Sequence, residues 1–149
     1  IVDDFDPNST RAVFSTEDHS KTRDDYFLSS GDKVRCFFEE DAFDDEGVLK
    51  QDKSLSINKI GHALHQLVPE FKTFSHSEII KDITLDLGLL RPQIHQSMYI
   101  FKQPKIGGVI RWHQDASYFG RCHHTKWLFA GAIGWGGYTI KRAVFTLSR

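Results

Sequence analysis

The sequence contains 149 residues, 40% of them hydrophobic and 26% charged, which is typical of one globular domain and excludes collagen-like or disordered classes. Nineteen Lys and Arg residues stand against 20 Asp and Glu residues, so the formal charge of −1 offers no basic field for a nucleic acid. Two cysteines cannot form a disulfide framework, and no apolar run reaches the roughly 20 residues of a membrane span. We therefore expect a cytoplasmic protein. The chain starts at Ile1 rather than Met, so an N-terminal targeting segment and a peroxisomal location stay open.

The N-terminal part of the chain predicts a loose segment followed by a β-hairpin. The first 25 residues are polar and acidic, and we expect them to be loosely held. Residues 33–38 are β-prone, and Asp44-Asp45-Glu46-Gly47 has the composition of a turn. The sequence therefore predicts a hairpin over residues 33–49, in which Cys36 packs into the core.

Two amphipathic helices are predicted next. One face of the first carries Ile57, Ile60, Leu64 and Leu67. Pro69 ends this helix, and Lys59 lies beside its apolar face. In the second helix, Ser75 and Glu78 form a capping box at the start, and Gly88 marks the end. Its apolar stripe consists of Ile79, Ile80, Ile83 and Leu87.

Two strands complete the predicted elements. Over residues 93–103, side chains alternate between two faces that both carry apolar residues, so this strand is expected to be covered on both sides. A turn follows at residues 104–108. The next strand, over residues 109–117, places His113 and Asp115 on one face and Trp112 on the other.

The tripeptide His113-Gln114-Asp115 is the first chemical signal. A histidine and a carboxylate two residues apart on a strand point the same way and can bind one metal ion. With a distant second histidine, they would form the facial triad of a non-haem Fe(II) site. Such a tripeptide also arises by chance, and a strand histidine hydrogen-bonded to its neighbouring Asp is the commoner explanation of the tripeptide alone.

Four blocks of sequence, in a fixed order, favour the metal site over the chance explanation. They are residues 25–35, 56–65, 96–104 and 112–118, which begin with Asp25-Tyr26-Phe27, Ser56-Ile57-Asn58, Gln96-Ser97-Met98 and Trp112-His113-Gln114. Together they resemble the phytanoyl-CoA dioxygenase family over residues 14–119, most closely its domain-containing branch. The resemblance implies an α+β fold in which N-terminal helices pack on a partial double-stranded β-helix, or jelly-roll, core. It also implies Fe(II), 2-oxoglutarate as cosubstrate, ascorbate as reductant, and oxygenation by O2 of a small organic or lipid-like substrate.

The resemblance assigns roles to five residues. His113 and Asp115 become two of three iron ligands. Lys59 becomes the partner of a 2-oxoglutarate carboxylate, Met98 a neighbour of the cosubstrate, and Gln114 a residue at the rim. Without the resemblance, Lys59 would be interpreted as a solvated helix lysine and Met98 as a core residue.

The family pattern is not visible after Phe119. The third iron ligand and the arginine that grips the far carboxylate have no counterpart in residues 120–149, so this chain is not expected to be a competent oxygenase. Codons compatible with residues 120–129, read one base later, can spell Asp-Ala-Ala-Ile-Ile-Gln-Asn-Gly-Cys-Leu, close to a family block. We interpret residues 120–149 as a divergent segment, with out-of-frame translation as the hypothesis and a coincidental codon match as its alternative. For the function, the alternatives to a dioxygenase are an inactive truncated product and a cupin-like module that binds a small molecule without oxidising it. The substrate, any recognition of coenzyme A and the oligomeric state are not determined by the sequence.

Overall fold

A computed structural model describes residues 1–7, 11–15, 24–89, 91–103 and 105–108, and the backbone of residues 142–148. Within these ranges the chain is a mixture of short helices and an antiparallel sheet, an α+β architecture. The elements are α1 (Asp25–Leu28), β1 (Val34–Phe38), α2 (Lys53–Ser56), β2 (Ile57–His62), α3 (Leu64–Leu67), α4 (Pro69–Ser75), α5 (Glu78–Asp86), β3 (Gln93–Ile100) and β4 (Arg142–Ser148). None of the helices in the described ranges is long and apolar enough to span a bilayer.

The four strands form one sheet in the order β1-β2-β3-β4, with β2 and β3 inside. Phe37 of β1 pairs with Lys59 of β2, which in turn pairs with Ile100 of β3. Two residues further along β2, Gly61 pairs with Met98 of β3. Because cross-strand partners lie on the same side of a sheet, these residues share one face, which we call the Lys59 face. The strand predicted over residues 93–103 is confirmed as β3.

The opposite face of the sheet carries the hydrophobic core. Tyr99 pairs with Ile60 on this face, and the ring of Phe71 from α4 packs edge-on against Tyr99 with 5.9 Å between ring centroids. The predicted core position of Cys36 is confirmed, and burial raises the pKa of its thiol to about 11, which disfavours a reactive thiolate. The buried core residues are Cys36, Phe38, Ala42, Ile57, Ile60 and Leu64.

The hairpin predicted over residues 33–49 is wrong in its pairing. β1 exists, but its partner is β2 and not the segment after the turn. The turn itself is present: the Asp44 side chain accepts a hydrogen bond from the backbone N–H of Val48, and Gly47 has φ of +79°. The turn closes a small loop through an isolated bridge between Phe43 and Leu49, while β1 pairs with β2, whose residues are almost all buried.

The first predicted helix is also wrong. Residues 57–62 form strand β2, and only residues 64–67 are helical. An inner strand that is covered on both faces shows no alternation of polar and apolar residues, so its apolar positions coincide with a helical spacing. Pro69 is the first residue of α4 and not a terminator, because a proline needs no hydrogen-bond partner for its nitrogen in the first turn.

The second predicted helix is confirmed as α5, with Gly88 at φ of +78° just beyond its end. Its N-cap is Ser77. Ser75, the predicted cap, ends α4, where its hydroxyl donates to the Phe71 carbonyl. The face of α5 that is buried carries Thr84, while the predicted apolar stripe is largely exposed at Ile79, Ile83 and Leu87.

The prediction that the N-terminal segment is loosely held is wrong for the residues of it that the structure describes. The Phe5 ring packs against Phe38 with 5.5 Å between centroids, and Val13 forms a parallel bridge with Phe38. The Lys53 ammonium donates to the backbone carbonyls of Asp3 and Phe5. The apolar residues scattered among the acidic ones bind this segment to the sheet, a contribution that composition alone does not reveal.

Candidate functional site

Lys59 is almost completely buried in the middle of β2, with 4% of its surface exposed. Its Nζ lies 3.1 Å from the centre of the Phe14 ring, and 5.3 and 5.4 Å from the centres of the Phe27 and Phe37 rings. In the part of the chain that the structure describes, no carboxylate lies within salt-bridge distance of it. The interpretation of Lys59 as a solvated helix lysine is therefore wrong. It is a buried cation surrounded by aromatic rings.

The surroundings of Lys59 change its acid–base behaviour. Burial lowers the pKa of Lys59 from 10.5 to about 7, because the ammonium loses its hydration and aromatic rings replace that hydration only in part. Near neutral pH the side chain is therefore divided between its charged and neutral forms. An arriving carboxylate would supply a counter-charge and raise the pKa again.

His62 belongs to the same cluster. Its ring lies 5.4 Å from that of Phe27 and 5.6 Å from that of Phe37, between centroids. Its Nδ1 lies 2.8 Å from the Ser30 hydroxyl oxygen. Burial, and then the charge of Lys59, lower the pKa of His62 to about 4, so its imidazole is neutral at physiological pH. Sequence reasoning missed this cluster because no local pattern connects residues 14, 27, 37, 59 and 62.

Met98 lies on the Lys59 face, on the strand next to Lys59. Its cross-strand partner Gly61 is tightly packed, since a Cβ there would lie 3.1 Å from Met98 Cγ and 3.4 Å from the Ser97 carbonyl. The glycine lets the half-buried Met98 side chain lie over β2. The structure thus brings two of the five predicted site residues, Lys59 and Met98, to the same face of adjacent strands. Their roles in binding stay predictions.

The predicted metal ligands His113 and Asp115, and Gln114 between them, lie outside the described residues. Within the described ranges, no three His, Cys, Asp or Glu side chains are grouped so that they could hold a metal ion. Most of the predicted divergent segment also lies outside these ranges. Only the backbone of β4 is described there, and it pairs with β3.

Glu39 is another buried ionisable group, next to the end of β1. It follows β1 and is 1% exposed; its Oε2 accepts a hydrogen bond of 2.8 Å from the Asn58 amide, and burial raises the pKa of its carboxyl. Its Oε1 is buried without a hydrogen-bond partner among the residues described. Gly107, at φ of +116°, packs so closely that a Cβ there would lie 3.0 Å from Oε1. Glu39 thereby contacts the loop that precedes the predicted metal-binding strand.

A buried histidine–serine pair attaches α3 to β3. The Nδ1 atom of His65 lies 2.8 Å from the Ser97 Oγ, which also accepts the backbone N–H of His65 at 2.9 Å. Burial lowers the pKa of His65, so the neutral ring is favoured. This pair satisfies polar groups in the interior and has the character of a structural connection.

Comparison with known proteins identifies the chain's relatives. It is 50% identical to the phytanoyl-CoA dioxygenase of Arabidopsis thaliana over 118 residues, 79% of this chain and 41% of that protein. It is 49% identical over 123 residues to phytanoyl-CoA dioxygenase domain-containing protein 1 of Danio rerio, 79% of this chain and 42% of that protein. It is 43% identical over 133 residues to a homologue of that protein in Dictyostelium discoideum, 89% of this chain and 46% of the relative. The chain therefore spans less than half the length of these relatives.

The family model described as phytanoyl-CoA dioxygenase (PhyH) matches residues 8–133. This range runs past residue 119, and the boundary predicted there stays a prediction. The family comprises dioxygenases that depend on iron and 2-oxoglutarate. Since the match covers most of the sequence, the chain belongs to the phytanoyl-CoA dioxygenase family.

Proposed function

We propose that this chain is part of an Fe(II)- and 2-oxoglutarate-dependent dioxygenase domain of the jelly-roll type that hydroxylates a small organic or lipid-like substrate. The observation that carries the proposal is Lys59, a buried cation for which the described part of the chain supplies no carboxylate. A buried charge without a counter-charge is unfavourable unless a ligand pairs with it. A carboxylate of 2-oxoglutarate is such a ligand.

The chemistry of the Lys59 face fits this cosubstrate. A lysine ammonium is a compact point charge that suits a carboxylate, and the rings of Phe14, Phe27 and Phe37 keep water from it, which strengthens the attraction. Met98 offers a polarizable apolar surface on the same face, suited to the methylene groups between the two carboxylates. His62 is neutral, so it leaves Lys59 as the cation of this cluster.

The metal would be held by His113 and Asp115 together with a third ligand, and Gln114 would lie at the rim. Imidazole and carboxylate are the donor types that non-haem Fe(II) accepts, so the residue types fit. When bound, Fe(II) couples the oxidative decarboxylation of 2-oxoglutarate by O2 to hydroxylation of the substrate, with ascorbate keeping the iron reduced. We propose that the 149-residue chain alone does not turn over 2-oxoglutarate. Residues 120–149 offer no match for the family's third iron ligand or for its arginine that binds the far carboxylate of the cosubstrate.

A titration of 2-oxoglutarate tests the role of Lys59. With Mn(II) in place of Fe(II), to avoid oxidation, we expect wild type to bind and Lys59→Met to bind at least about tenfold more weakly, as expected when a buried charge pair loses one member. Lys50→Met is the matched control, because Lys50 is exposed and lies outside the cluster. Equal affinity of wild type and Lys59→Met would contradict the proposal.

A turnover assay separates the alternatives. Succinate is measured with Fe(II), ascorbate, O2 and 2-oxoglutarate for the 149-residue chain and for a version restored in frame after residue 119. Turnover only in the restored version agrees with the proposal. Succinate from the 149-residue chain that disappears in His113→Ala would show that another residue completes the site. Cosubstrate binding without turnover in either version would favour a binding module, and no binding by either would favour an inactive product.

A further inference from the structure

Phe14 reaches Lys59 from a short segment, residues 11–15, which we call the Phe14 strap. The strap is fixed to the end of β1 on both sides of the ring. The Phe14 N–H donates to the Phe38 carbonyl at 3.0 Å, and the Phe38 N–H donates to the Ala12 carbonyl at 2.9 Å. The Ser15 hydroxyl donates to a Glu40 carboxylate oxygen at 3.0 Å. The position of the Phe14 ring is therefore set by the backbone of the sheet.

The ring contacts Phe27 and Lys59. It stacks on Phe27 of α1, with 6.2 Å between centroids and 30° between planes. Its face lies 3.1 Å from Lys59 Nζ, while the rings of Phe27 and Phe37 are more than 5 Å from that atom. Because the attraction between a cation and a ring face falls with distance, Phe14 supplies the largest share of the aromatic stabilisation of the ammonium.

We propose that Phe14 is a positioning residue for cosubstrate binding, whose ring holds the Lys59 ammonium in place and favours its charged form until a carboxylate arrives. This inference rests on the proposed function of Lys59. The ammonium can contact the Phe14 ring and a carboxylate at the same time, because it has three N–H groups and the ring covers only one side of it. A lysine that is already charged and oriented binds an anion without first taking up a proton or reordering its side chain.

Among the residues that the structure describes, the other ionisable groups around Lys59 do not replace this effect. On β2 there is His62, which is neutral at physiological pH. On β1 there is Arg35, whose guanidinium lies 4.3 Å from the Tyr26 ring centre and donates to the Ser29 hydroxyl. On α1 there is Tyr26, and burial raises the pKa of its hydroxyl. None of the three carries a negative charge near neutral pH, so none stabilises the ammonium.

The pKa of Lys59 is the direct readout. It can be measured from the Cε resonance in ¹³C-lysine-labelled protein and assigned with Lys59→Met. Phe14→Leu keeps an apolar side chain but removes the ring face, and we expect it to lower the pKa of Lys59 by about one pH unit. Phe14→Tyr keeps the ring face and should restore the wild-type value. Phe5→Leu is the matched control, because Phe5 packs on Phe38 in the core and not on Lys59.

The affinity for 2-oxoglutarate gives the second readout, again with Mn(II). If the pKa of Lys59 in the ligand-free protein falls from about 7 by one unit, Phe14→Leu should weaken binding about tenfold at pH 8. At pH 6 it should weaken binding only about twofold, because about nine-tenths of the lysine is charged in wild type and about half in the variant. A general loss of structure would weaken binding equally at both pH values and would count against the inference.

Two results overturn the inference. An unchanged pKa of Lys59 in Phe14→Leu shows that the ring does not favour the charged form. Tighter 2-oxoglutarate binding by Phe14→Leu shows that the ring obstructs the site. A failure of the proposed function is distinguishable from both: wild type then binds no 2-oxoglutarate at any pH, and the cosubstrate role of Phe14 falls with it, whatever the pKa of Lys59 does.

Discussion

Replacing Lys59 by methionine should stabilise the folded chain. Burial lowers the pKa of Lys59 from 10.5 to about 7. A tenfold change in proton affinity corresponds to about 1.4 kcal/mol, so the buried ammonium lowers the free energy of unfolding by about 4 kcal/mol at pH 7. The contact with Phe14 acts on the charged form alone, so its contribution is already contained in this pKa. Methionine has a similar unbranched shape and needs no hydration, so we expect a gain of up to about 4 kcal/mol.

Urea unfolding of wild type, Lys59→Met and the exposed control Lys50→Met measures this gain. The pH dependence of stability tests whether the gain comes from the ionisation of Lys59. Between pH 7 and 10.5 the unfolded wild-type chain keeps the lysine proton that the folded chain has lost, so wild-type stability rises with pH by up to about 1.4 kcal/mol per unit relative to Lys59→Met. The advantage of the variant should therefore be largest below pH 7 and disappear near pH 10.5.

Two results would refute this reasoning. If Lys59→Met destabilises the chain at pH 7, the ammonium has a partner that compensates for its burial. If the difference between the two proteins does not change with pH, the pKa of Lys59 is the same in the folded and unfolded states. The Lys50→Met control should stay within about 0.5 kcal/mol of wild type, as is usual for exposed substitutions.

Three further predictions concern the site and its supports. Wild-type affinity for 2-oxoglutarate should fall up to about tenfold per pH unit above pH 7, as Lys59 loses its proton in the free protein; calorimetric titrations that give a constant affinity between pH 6 and 9 would contradict this. Gly107→Ala should lower stability by about 1–3 kcal/mol in urea unfolding, because a φ of +116° is strained for alanine and the added Cβ would lie 3.0 Å from Glu39 Oε1; an unchanged midpoint would contradict this. Ser97→Ala should lower stability by about 1–3 kcal/mol by leaving His65 without its buried partner, and fast amide exchange of His65 in wild type would argue against that bond.

The sequence predicted some elements of the fold well and others poorly, for a physical reason. β3 and α5 were predicted because a long alternation and a capped, glycine-terminated helix are local patterns that tertiary contacts did not override. β2 was predicted as a helix because both of its faces are covered, which removes the alternation that marks a strand. The pairing of β1 was missed because it depends on β2.

The residues of the candidate site were likewise predicted only in part. Lys59 and Met98 were identified by resemblance to family blocks, and no local pattern would have distinguished them from surface and core residues. The partners of Lys59 were not predicted, since Phe14, Phe27 and Phe37 come from three segments that only the folded sheet brings together. His113, Gln114 and Asp115 stay predictions, as does the out-of-frame origin of residues 120–149.

The position of Lys59 is better explained by ligand binding than by folding. A domain of this size has a total stability of about 5–15 kcal/mol, and a buried ammonium that lowers it by about 4 kcal/mol removes a large fraction. An apolar side chain of the same length would fill the space between the three phenylalanine rings without that penalty. A residue that weakens the fold in the absence of a ligand, and that gains a counter-charge when a carboxylate binds, is expected at a functional site and not at a purely structural one.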